Sequence, residues 1–224
     1  MDLVKSFHMG HSRGMKPFPA ILSVLIATTV VGLGEETPKL TIAKLGAPIF
    51  SDDFSGDALG KDWNGVKGRW EVKSGAIVGA EWEADHHAGV LNLQKPNHNL
   101  VLQFDFVLQG AKGFSLSFNH AKGHLWRVTI NEAGAQLRKD LDKKDPNSKA
   151  ILMGDAKTAL EKGKTHTLTA EVVGDKIAVR IGDSISLEGS HAEFDTDKPN
   201  IRFVVQGESV VIDNVKVWEA QPAG

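Results

Sequence analysis

From Ile49 onward the chain alternates apolar and polar residues with a period of two, and no stretch carries the 3.6-residue repeat of an amphipathic helix. In residues 100–109, Leu102, Phe104, Phe106 and Leu108 fall on one side, with Val101, Gln103, Asp105 and Val107 on the other. Phe114, Leu116 and Phe118 alternate with Ser115, Ser117 and Asn119. Trp126, Val128 and Ile130 then alternate with Arg127, Thr129 and Asn131. Antiparallel strands with one face on a core show this pattern. Lys73-Ser74-Gly75 and Gly174-Asp175 are tight hairpin signals, joining 69–72 to 76–82 and 165–173 to 176–181. Further strands fall at 184–187, 201–205 and 210–218. The charged stretch 139–149 reads as an exposed loop, and 156–161 is compatible with one helical turn. About a dozen short strands and no helix of consequence predict an all-β fold, a two-sheet antiparallel β-sandwich of jelly-roll type.

Residues 1–34 stand apart. Lys5, Arg13 and Lys16 precede an apolar run over 20–33, and Gly32 and Gly34 supply small residues ahead of Glu35 and Glu36. That is the layout of an export signal, with Met9 or Met15 as alternative starts. The run falls short of the roughly 20 residues that span a bilayer, although an uncleaved anchor is the alternative. The expected organisation is a signal peptide over 1–34, a linker over 35–48, the sandwich over 49–219 and a tail over 220–224. The expected location is secreted or periplasmic in a bacterium, with no membrane association once the signal is removed. The absence of cysteine excludes disulfides, a thiolate nucleophile, Cys-ligated zinc and a lipoprotein anchor. A net charge of −2 gives no electrostatic reason to expect nucleic acid as a partner. Nothing in the sequence sets the oligomeric state.

The order of motifs is also informative. Ile49-Phe50-Ser51-Asp52-Asp53-Phe54-Ser55-Gly56 leads to Trp63, then to Arg69-Trp70-Glu71-Val72-Lys73-Ser74-Gly75-Ala76-Ile77, and the chain closes on Val211-Ile212-Asp213-Asn214-Val215-Lys216-Val217-Trp218. Over residues 49–218 this resembles the concanavalin A-like lectin/glucanase superfamily, in particular the 3-keto-disaccharide hydrolase domains related to family 16 glycoside hydrolases. The resemblance implies two curved sheets, a sugar on the concave face, and action on a glycoside, including one oxidised at its 3-position. Such domains often carry an Asn-Ser-Gly step before the middle concave strand, where this chain has 112–119, Lys-Gly-Phe-Ser-Leu-Ser-Phe-Asn.

Several groups of residues could carry chemistry. With the aromatic residues turned inward, Gln103, Asp105, Asn119 and Arg127 would offer planar donors and acceptors to sugar hydroxyls on one outer face. Glu81, Glu83, Asp85, His86 and His87 gather carboxylates and imidazoles suited to acid–base work on a glycosidic bond. The alternative there is a strand end running into a polar loop, with Trp82 in the core. Asp52, Asp53 and Asp213 would meet if the terminal strands are adjacent, and calcium is the cofactor such carboxylates would suit, although Asp also caps turns. Glu193-Phe194-Asp195-Thr196-Asp197 reads as a loop, and His120 and His124 flank a turn at Lys122-Gly123. The expected partner is a glycan or small glycoside. Hydrolase, non-catalytic binding module and envelope structural protein all remain open.

Overall fold

Two-residue turns with left-handed backbone fold the alternating segments back on themselves. Ser74 (φ 53°) and Gly75 (φ 77°) both lie in the left-handed region, as a type I′ hairpin requires, and Lys73 sits opposite Ala76. The computed structural model describes residues 37–224, so the expected export signal lies outside the described residues. Within them are fifteen strands, paired antiparallel throughout, and two single-turn 3-10 helices, Glu83–Asp85 and Ala192–Phe194.

The strands form two sheets. The first runs in the order β13 (Ile185–Ser190), β12 (Lys176–Ile181), β11 (Thr165–Val173), β6 (Leu100–Leu108), β15 (Val210–Pro222), β4 (Ala76–Ala80) and β3 (Arg69–Lys73). β1 (Ala43–Asp52) pairs with the far half of β15, beyond a bulge at Asn214 (φ 50°). The second sheet runs β10 (Ile151–Ala156), β9 (Gly134–Lys139), β8 (Gly123–Asn131), β7 (Ala111–His120), β14 (Ile201–Gly207), β5 (Gly89–Leu93) and β2 (Trp63–Lys67). The inner faces close on aromatic rings. Phe104 meets Phe203 at a centroid distance of 5.2 Å, Phe106 meets Phe114 at 5.6 Å, and Phe118 stacks on Trp126 at 4.5 Å. All six are buried, and each such side chain contributes about 1.5–3 kcal/mol by leaving water.

The expected two-sheet sandwich is therefore present, but it reaches further than the expected 49–219. Part of the linker is strand: Ala43 lies opposite Pro222, so 43–48 and the start of the tail pair with each other. Register shifts between Leu45 and Phe50 interrupt the alternation and hide this strand. The segment is anchored by buried Glu171 of β11, whose carboxylate accepts from the N–H groups of Thr41, Ile42 and Ala43, each at 2.8 Å. The expected helical turn over 156–161 does not form, and Lys139 ends a strand and is buried instead of opening a solvated loop.

Candidate functional site

On the second sheet, the residues between core positions stand in register from edge to edge. The pairing runs Asn64–Asn92, Asn92–Arg202, Arg202–Ser117, Ser117–Arg127, Arg127–Arg138 and Arg138–Leu152. On the inner strands alternation turns them away from the core: Ile201 and Phe203, flanking Arg202, are buried, as are Trp126 and Val128 beside Arg127. At about 4.8 Å per strand the row is roughly 29 Å long. The next row holds Ser115, Thr129, Gln136 and Asp155, and Ser115 Oγ donates to Thr129 Oγ1 at 3.1 Å. It ends in a cleft of about 120 Å³ lined in part by Thr129, Asn131, Gln136 and Asp155.

The charges along the row do not balance. Arg127 Nε donates to Asp140 Oδ2 at 2.8 Å, and Arg138 Nε lies 3.2 Å from Oδ1 of the same carboxylate. Among the described residues, Arg202 has no carboxylate within ion-pairing distance. Its Nη1 donates instead to the Asn119 amide oxygen at 2.9 Å, with the amide turned so that its nitrogen donates to Phe118 O at 3.2 Å and His124 Nδ1 at 3.1 Å. Burial and then the Arg127 charge lower the pKa of Arg202, although a guanidinium stays charged. Burial and then Arg127 also lower His124, with Asp140 opposing, and this favours the neutral ring that accepts from Asn119. The amide oxygen of Asn92, beside Arg202, is buried with no hydrogen-bond partner.

Where β7 turns into β8, a recess of about 430 Å³ opens between His120, Lys122, the 142–148 loop and residues 193–196. His98 fastens that last segment, with Nε2 2.7 Å from Asp195 and Nδ1 2.8 Å from Asp197. Those two hydrogen bonds raise its pKa. Buried Lys198 donates from Nζ to the carbonyls of His98 (2.7 Å) and Thr196 (2.6 Å). Burial brings its pKa down to about 8, against the pull of Asp197 and Asp195. The Glu193–Asp197 run is thus a pinned turn, with Phe194 in the core.

The sequence matches no family model and no curated protein. Solved structures do match. The carbohydrate binding module CBM66 from Bacillus subtilis superposes with a TM-score of 0.55 at 15% identity, over 70% of this chain and 96% of its own. A protein of unknown function with a galectin-like fold from Bacillus subtilis gives 0.57 at 14%, over 80% and 98%. The laminarinase from Rhodothermus marinus gives 0.55 at 11%, over 80% and 99%. The chain has the concanavalin A-like fold. At these identities the likeness is one of fold.

Within this concanavalin A-like sandwich, the residues expected to share one face divide between two. Gln103 and Asp105 stand on the first sheet, where Gln103 Nε2 donates to Thr169 Oγ1 at 3.2 Å. Asp105 accepts there from Thr167 Oγ1 at 2.6 Å and Asn214 Nδ2 at 2.9 Å. Asn119 and Arg127 stand on the second sheet, so Asp105 and Arg127 cannot meet. The reason is the short link Gln109-Gly110, which carries the chain from sheet to sheet where a hairpin would have kept β6 and β7 side by side.

The 81–87 cluster follows the end of β4 at Ala80 and is a 3-10 turn closed by a bridge between Trp82 and His87. Glu81, Glu83, His86 and His87 are exposed, and Trp82 lies outside the core with the Arg69 guanidinium 5.3 Å from its ring. Asp85 accepts from Gly68 N at 2.6 Å, and that bond, then the Lys67 charge, hold its pKa low. It is ionised at neutral pH and is no proton donor there.

Of the expected metal ligands, Asp52 accepts from Phe54 N and Trp63 Nε1, both at 2.9 Å. Asp53 accepts from Ser55 N at 3.1 Å, and Asp213 from Asn214 N at 2.7 Å. Among the described residues no group of three or more His, Asp and Glu side chains is arranged to hold a metal ion.

Sequence reading missed Arg202, Asn92, Arg138 and Asp140. For Arg202 the signal was present, since it alternates with Ile201 and Phe203 in a segment already read as strand. Its place beside Ser117 depends on which strands pair, and alternation does not carry that.

Proposed function

We propose that the protein binds a glycan along the outer face of its second sheet. The observation that carries this reading is the in-register band Asn92, Arg202, Ser117, Arg127 and Arg138, one amide, one hydroxyl and three guanidiniums set across five neighbouring strands. Sugar hydroxyls are recognised by planar donors and acceptors of this kind, and strands space them at regular intervals along a chain of repeating units. A carbohydrate binding module and a laminarinase with the same fold make glycans the first ligands to try. Export, secreted or periplasmic, belongs to this reading through the leader at 1–34.

Hydrolysis of a glycoside, including a 3-keto-glycoside, is the finer reading. It needs two carboxylates able to exchange a proton or attack the anomeric carbon. Among the described residues the band itself holds no carboxylate, and Asp140 beside it is engaged by two arginines, which favours binding without cleavage at that face. Exposed Glu81 and Glu83 would be the groups to carry proton transfer in a hydrolase.

The test offers the protein to an immobilised panel of neutral and charged glycans and assays the supernatant for released sugar. Retention weakened by Arg127→Gln, without release, is the expected result. Release abolished by Glu81→Gln or Glu83→Gln would establish the hydrolase instead. Failure to retain any glycan would overturn the proposal.

A further inference from the structure

Resting on the glycan reading, we infer that the glycan is anionic, with a sugar carboxylate or sulfate seated at Arg202. The band carries three guanidiniums, Arg127, Arg138 and Arg202, against one neighbouring carboxylate, Asp140. Taking a charge out of water is costly unless a counter-charge completes it, and a second cation beside it adds to that cost. Arg202 is half-buried, lies next to Arg127, and has only an amide oxygen at its Nη1. The guanidinium fork matches the two oxygens of a carboxylate or sulfate, and amides alone would serve a neutral sugar.

The excess is local. The whole chain carries a net charge of −2. On the first sheet, Asp105, Asp52 and Asp53 lie close enough to Asp213 to help raise its pKa. The positive field of the second sheet is therefore a property of that face. The neighbouring recess sets a direction as well. Its lining carries four carboxylates, Asp142, Asp145, Glu193 and Asp195, against Lys122 and His120, with Glu193 paired to Lys139 and Asp195 to His98, so it offers an anionic chain less than the arginine row does.

The experiment measures binding of the full chain to polygalacturonate and to its methyl ester, which share a backbone and differ in charge, and to dextran sulfate against dextran. Polyphosphate serves as a polyanion without sugar. At least about tenfold tighter binding of one charged polymer than of its neutral twin is expected, reduced by added salt. Which pair shows the preference identifies carboxylate or sulfate. Arg202→Gln should abolish the preference, Arg202→Lys should retain part of it, and Arg202→Gln should melt no lower than wild type, because an uncompensated charge has been removed. Arg138→Gln gives a second variant in which Arg127 still holds Asp140, and it should weaken the preference as well. Equal binding of charged and neutral twins overturns the inference and leaves glycan binding standing. Equal binding of polyphosphate, indifferent to Arg202→Gln, also overturns it. Failure to bind any glycan overturns the parent reading instead.

Discussion

Asp213 sits among groups that repel its charge. Burial first, and then Asp105, Asp53 and Asp52, raise its pKa, while the hydrogen bond from Asn214 N works the other way. The folded chain thus holds this proton more tightly than the unfolded chain does. By linkage, the ionised form costs stability at neutral pH, and the cost is relieved as pH falls through the raised folded value. Asp213→Asn keeps the oxygen that accepts from Asn214 and removes the charge. It should raise the urea midpoint at neutral pH, and the gain should shrink as pH falls toward about 4, the ordinary carboxylate range. A lower midpoint at neutral pH would mean that something attractive holds the carboxylate, such as a calcium ion shared with Asp52 and Asp53. Glu171 is the contrasting case, a buried carboxylate whose oxygens face a nest of backbone donors at 41–43.

The corners between sheets decide the architecture at the next scale. Gly68 alone links β2 in the second sheet to β3 in the first. Its φ is 79°, and a Cβ there would lie 2.5 Å from Ala80 O and 2.6 Å from the Gly89 Cα. Its N–H is held by Asp85. Gly68→Ala should therefore cost at least about 1–3 kcal/mol and lower Tm in a thermal melt, and an unchanged Tm would mean the corner has room to relax. Such corners also explain what could be read in advance. Alternation sorted Phe104, Phe114 and Trp126 inward, and Gln103, Asp105, Asn119 and Arg127 outward, because inside and outside are local properties of a strand. Sheet membership is not local. Gln109-Gly110 has the length of a hairpin yet crosses between sheets, so the outward residues before and after it lie on opposite faces. Lys139 and Asp140 were hidden for a related reason: both are buried, but only tertiary contacts with Glu193, Arg127 and Arg138 make burial of those charges tolerable.

At the scale of the molecule, the sandwich presents two outer faces of different character. On the first sheet Asp105 is occupied by Thr167 and Asn214, and Gln103 by Thr169. Across the second runs the arginine row, with a guanidinium that lacks a counter-charge and a buried amide oxygen that lacks a donor. The first face gathers carboxylates around Asp213 and the second gathers guanidiniums, so the two faces suit ligands of opposite charge. Which face a glycan touches is therefore the deciding question. Backbone amide chemical shifts, followed while a glycan retained by the protein is titrated in, locate the contact directly. Shifts concentrated at Asn92, Ser117, Arg127, Arg138 and Arg202, with Gln103 and Asp105 unmoved, are expected for a glycan on the second sheet. Shifts centred on Gln103, Asp105 and Thr167, with the arginine row silent, would contradict it.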